Sequence, residues 1–141
     1  MKAFLDTSVL VAGLRSRLGA SAALLREAAH DNLEFIASPA LFLEYEAVLK
    51  RSQHNLPEQH VDGFLAELAL LIRPVEIRYL WRPQLSDADD EMVLEAAING
   101  QADAIVTHNK RDFAQAAAKF GIAVRSPADA LQQIRQKGNL K

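Results

Sequence analysis

Residues 102–124 read ADAIVTHNKRDFAQAAAKFGIAV. Within them, AIV (104–106) is a short uninterrupted apolar run, DFAQAAAKF (112–120) has helical apolar spacing and ends at a glycine, and IAV (122–124) is a second apolar run. Strand, helix, strand is the βαβ unit, in which the helix carries the chain back so that the two strands lie parallel. Parallel strands are covered on both faces and so lack the apolar/polar alternation of a half-exposed strand, which is the pattern here. The consequence is directional. All strands of a parallel sheet end on one edge, so Thr107, His108 and Asn109 fall where ligands bind in open α/β sheets.

The same alternation extends outward in both directions. KAFL (2–5) reads as a first strand, followed by a short helix around Val9–Leu14; residues 20–32 have helical spacing, and LEFIAS (33–38) gives a second strand. SPALFLEYEAVLKR (38–51) is a helix with Ser38 as N-cap and Pro39 at its first position. A long amphipathic helix covers 56–72 and is ended by Arg73 and Pro74, PVEI (74–77) is a third strand, and the stretch with Trp81, Pro83 and Ser86 is a loop. Residues 87–100 form a helix with acids at its start and Gly100 as its C-cap; SPADALQQIRQ (126–136) is the last helix. No repeat or linker interrupts the pattern. The expected architecture is a single α/β domain over residues 1–141, with a central, mainly parallel sheet flanked by helices.

Composition narrows the function. Of the 141 residues 50% are hydrophobic and 24% charged, which is the balance of a soluble globular protein. The absence of cysteine excludes thiolate zinc sites, disulfides and a cysteine nucleophile. No apolar run approaches a membrane span, and the start lacks the features of a signal peptide, so a cytoplasmic protein with no membrane contact is expected. A net charge of -2 does not advertise nucleic-acid binding, but Arg15, Arg17, Lys50, Arg51, Lys110 and Arg111 offer local positive charge.

The acids are the chemistry-bearing residues. Asp6 follows the first strand and Asp112 the strand at 104–106, so both belong to the sheet's carboxyl edge; each also suits a helix cap. Glu44 has Leu41 behind it and Ala47 and Val48 ahead at helical spacing, which draws it toward the apolar stripe; a salt bridge to Arg51 is the alternative. Asp90 is similar, with Val93, Leu94 and Ala97 ahead, although the helix dipole alone would also favour it there. Glu91 and Glu95 read as a polar line with Asp87 on another face. Gathered acids repel one another unless a cation joins them, and hard oxygen ligands suit Mg²⁺ or Mn²⁺ over zinc. His30, His54 and His60 read as surface residues, and His108 as the one histidine near the edge.

FLDTSVLVAGL, SPALFLEYEAVLKR and DADDEMVLEAAINGQADAIVTHNKRDF together resemble the PIN-domain ribonucleases, and among them the VapC-like toxins of bacterial toxin-antitoxin pairs. The resemblance runs over nearly the whole chain. It implies metal-dependent hydrolysis of RNA phosphodiester bonds with Mg²⁺, or Mn²⁺, held by Asp6, Glu44, Asp90 and Asp112. Ser8 and Thr107 are implied as polar support, with Asn109 and Asp87 as further candidates; Asp87 and Asp89 compete with Asp90 for the third acid. The implied partners are an RNA substrate, a cognate antitoxin protein and a second copy of the chain, with the helix of residues 57–72 as a dimer surface. A nuclease of RNA maturation or decay and a non-catalytic PIN-like scaffold are the alternatives. A dehalogenase-type phosphatase is disfavoured, because it needs a second acid where this chain has Ser8.

Overall fold

Among the described residues, five short strands are interspersed with seven helices. In the computed structural model, residues 1–51, 54–78 and 88–139 are described, with side chains for all of them except 88–90 and 137–139. The order is β1 (Lys2–Leu5), α1 (Thr7–Arg15), α2 (Ala20–Ala29), β2 (Glu34–Ala37), α3 (Pro39–Leu49), α4 (Glu58–Leu71), β3 (Arg73–Pro74), α5 (Ala88–Asn99), β4 (Ala104–Val106), α6 (Lys110–Lys119), β5 (Ala123–Arg125) and α7 (Pro127–Asn139). The expected loop with Trp81, Pro83 and Ser86 lies outside the described residues.

All strand pairings are parallel, in the order β3-β2-β1-β4-β5. The expected α/β class therefore holds. β1 is central: Phe4 pairs with Ile36 on one side and Ile105 on the other. Ala3, Phe4 and Leu5 are fully buried, as are Ile105 and Val106, which is why these runs carry no polar residue. Burying each large side chain contributes about 1.5–3 kcal/mol, so the two central strands anchor the core.

Two strand readings need correction. The third strand is Arg73–Pro74, one residue earlier than PVEI, and Val75 N–H continues its ladder to Ala37 C=O at 2.9 Å. Pro74 is tolerated because β3 is an edge strand, where a missing donor leaves no sheet partner unsatisfied. β5 is the other edge, with Ala123 and Val124 partly buried and Arg125 exposed, unlike the doubly covered strand expected from IAV. Ser38 caps α3 as expected, accepting a bond from Leu41 N–H at 3.2 Å.

Gly100 follows α5, but the left-handed turn is made by Gln101, at φ 54°. The glycine answers a different need. A Cβ there would lie 2.6 Å from Ile36 Cδ1 and 2.9 Å from Val75 Cγ2, so α5 ends pressed against the β2 side of the sheet. Among the described residues no single helix is long and apolar enough to cross a membrane.

Candidate active site

The strand order changes direction between β1 and β4: the chain builds outward through β2 and β3 on one side, then returns to place β4 and β5 on the other. Such a switch point opens a crevice beyond the strand ends, because the connecting segments leave the sheet in opposite directions. Asp6 and Thr107 are the residues directly after β1 and β4. They meet there, 101 positions apart in sequence, with Thr107 Oγ1 donating to Asp6 Oδ2 at 2.8 Å.

Asp6 occupies the N-cap position of α1, yet its side chain makes no capping bond. Its carboxylate is turned to other partners. Ser8 Oγ also donates to Oδ2, at 2.8 Å. Each hydroxyl is fixed in turn by a backbone amide of the β4–α6 connection: His108 N–H donates to Ser8 Oγ at 3.2 Å and Asn109 N–H to Thr107 Oγ1 at 2.9 Å. A hydroxyl that accepts from an amide has its proton free to point at the carboxylate, so both donors are pre-oriented. Both bonds fall on Oδ2, and Asp6 lines a cleft.

That cleft has a volume of about 630 Å³ and is walled by α1, α3 and the residues after α3, with Val93 of α5 and Asn109. Glu44 lines it. The buried stripe of α3 is Leu41, Tyr45 and Leu49, and Glu44 lies on its flank with its side chain 22% exposed, so it borders the core instead of sharing it. Arg51 Nη2 stands 3.9 Å from Glu44 Oε1, a loose ion pair. Tyr45, next to Glu44, is wholly buried against Phe35, and its hydroxyl donates to Leu5 C=O at 2.6 Å. Burial first, and the charge of Asp6 second, hold its phenol well above the usual value of 10.0. The bond ties the backbone before Asp6 to the residue after Glu44, fixing the two acids' elements together.

The other expected site residues are placed differently. Asp112 sits in the first turn of α6, exposed, and does not line this cleft. Asp87 lies outside the described residues, as do the side chains of Asp89 and Asp90, which begin α5. Among the described residues no three acids or histidines converge closely enough to hold a metal ion. Glu91 and Glu95 are not on a polar face: each is only 4% exposed, because α5 packs against β1, β2 and β4 and has little free surface. His54 is not a surface residue either. It lines the cleft, and its backbone carbonyl accepts from Arg15 Nη2 at 3.1 Å. His108, exposed at the edge, places Nε2 3.2 Å from the buried Ser21 Oγ.

The sequence profile of the PIN domain matches residues 2–111, from β1 into the start of α6. The chain belongs to the PIN domain family. PIN domains are generally nucleases and typically use divalent metals. No curated protein matches the chain. The PIN match covers Asp6, Ser8, Glu44, Asp90, Thr107 and Asn109 and stops one residue short of Asp112. Tyr45 is the part of this PIN domain's site that reading for acids passed over. Its signal was present: a tyrosine flanked by Leu41 and Leu49 at i−4 and i+4 must be buried, and a buried hydroxyl needs an acceptor.

Proposed function

We propose that this PIN domain is a metal-dependent endoribonuclease and the toxin component of a toxin-antitoxin pair. The observation that carries the nuclease reading is Asp6. Its carboxylate stands at the sheet's switch point, is oriented by two hydroxyls through one oxygen, and belongs to a residue that lines the same cleft as Glu44. That donor set fits a divalent cation: the oxygens are hard and anionic, and the chain contains no cysteine.

Asp6 and Glu44, which line the cleft, would hold Mg²⁺ or Mn²⁺, with Asp90 as a further acid; Asp112, the fourth acid of the resemblance, does not line this cleft. A metal bound there supplies an activated water and neutralises charge on the phosphate. The protein's own part is geometric. Ser8 and Thr107 hold the Asp6 carboxylate in one orientation, each donating to Oδ2 at 2.8 Å. Tyr45 keeps the ends of β1 and α3 in register. Asn109, at the cleft, offers an amide to the substrate's phosphate or to water.

The toxin assignment rests on the likeness of the three motifs to VapC-like chains, and it carries with it an antitoxin protein and a homodimer as partners. The decisive experiment is cleavage of labelled single-stranded and structured RNAs with Mg²⁺, with Mn²⁺ and with chelator, for wild type, Asp6→Asn and Glu44→Gln. Cutting that requires metal and is lost in both folded variants is the expected result. Equal silence of all three proteins, with no metal binding by calorimetry, would leave a binding scaffold. Growth arrest on induced expression, abolished by Asp6→Asn, is expected of a toxin; a maturation nuclease would leave growth unaffected.

A further inference from the structure

The cleft that carries the two acids also carries positive charge. Arg51 lines it beside Glu44, with its side chain half exposed. A guanidinium has five N–H donors in a rigid plane, matched to two oxygens of a phosphate or carboxylate at once. Among the described residues its one charged contact is Glu44 at 3.9 Å, beyond hydrogen-bond reach, so those donors are uncommitted.

Three features distinguish Arg51 from an ordinary solvated surface arginine. Its backbone is fixed: Arg51 N–H donates to Val48 C=O at the end of α3, and the segment is braced from α1 by the bond from Arg15 to the His54 carbonyl. Its surroundings are partly apolar, because Leu41, Val48 and Val11 line the same cleft, which strengthens charge interactions relative to open water. Its position is also complementary: a polyanion presented to Asp6 and Glu44 meets two carboxylates, and Arg51 adds positive charge beside them to that of any metal they hold.

We propose that Arg51 is a substrate-binding residue that takes the phosphodiester backbone of single-stranded RNA beside the bond presented to Asp6 and Glu44. This rests on the ribonuclease reading above. Arg15 acts through the His54 carbonyl as a positioning residue for the same wall.

The test measures binding of a fluorescein-labelled oligoribonucleotide by anisotropy, with Mg²⁺, in an Asp6→Asn background that suppresses cutting. Arg51→Gln, Arg51→Lys and Arg17→Gln are added separately, Arg17 being an exposed arginine outside the cleft lining. Loss of one phosphate contact lowers the slope of log affinity against log salt by about 0.7 for a single strand. Arg51→Gln is expected to show that loss and to weaken binding roughly tenfold, as for a charge-assisted hydrogen bond. Arg51→Lys should keep the slope but not the full affinity, and Arg17→Gln should match its parent. If Arg51→Gln and Arg17→Gln behave alike, the positive charge is diffuse and the assignment is overturned, while metal-dependent RNA cleavage by wild type would leave the nuclease reading standing. If the Asp6→Asn protein binds no RNA and wild type cuts none, both fail together.

Discussion

Tyr45 and Thr107 each act on the acids through one hydroxyl. Replacing Tyr45 by phenylalanine keeps the ring packed on Phe35 and removes only the bond to Leu5 C=O. The expected cost is about 1 kcal/mol of stability. The alkaline limb provides a second readout. Because the phenol is held above its ordinary value in the folded protein, the unfolded chain ionises first; this group's contribution is complete below pH of about 10 and is lost as pH rises toward the folded value. Urea midpoints measured from about pH 8 to 11 should therefore fall more steeply for wild type than for Tyr45→Phe. Parallel slopes would mean that Tyr45 does not titrate with unfolding. Thr107→Val is the complementary change: it keeps the volume and removes a donor from a buried carboxylate, at an expected cost of about 1–3 kcal/mol. Ser8→Ala should cost less, because Ser8 is only partly buried and water can replace it.

At the scale of elements, the clearest readings came where local pattern and burial coincide. AIV is buried on both faces because β4 lies inside the sheet, and Ser38-Pro39 starts α3 because a cap and a preset φ favour the same turn. The misreadings share a cause, which is that a helix's own sequence does not say how many of its sides will be covered. In α5, Glu91 and Glu95 read as a polar line with Asp87, but packing against three strands buries both. In α3, spacing draws Glu44 toward the apolar stripe, but the stripe passes beside it, through Tyr45. His54 follows the same logic, since its place in the cleft depends on a bond from Arg15, 39 residues away. Two glycines test how far the packing explanation reaches. Gly100→Ala must push aside Ile36 and Val75 and approach Ala96 C=O at 3.0 Å, so it is expected to destabilise by about 1–3 kcal/mol. Gly63, exposed in α4, has nothing within 4 Å of a new Cβ, and Gly63→Ala should stabilise by about 0.5–1 kcal/mol. Denaturant midpoints moving the same way in both variants would contradict this account.

At the scale of the whole molecule, the site does not exist until the fold does. Asp6 comes from the end of β1, its second hydroxyl donor arrives with β4 about a hundred residues later, and Glu44 is delivered by α3 under the control of Tyr45. A ligand that needs this arrangement binds the native state and not the unfolded chain, so its binding free energy adds to stability. At a metal concentration roughly a hundredfold above Kd, the gain is about 2.7 kcal/mol, which for a chain of this size is several degrees in Tm. Thermal unfolding with Mg²⁺ or Mn²⁺ should shift upward with concentration in wild type, against a sodium salt at matched ionic strength. Asp6→Asn keeps the shape of the side chain and removes the anionic oxygens; its shift should largely disappear while its Tm without metal stays measurable. A shift that survives the substitution would place the metal elsewhere. A wild type that does not respond at any concentration would mean that the cleft holds no cation, and the carboxylate at the switch point would then serve only to tie β1 to β4.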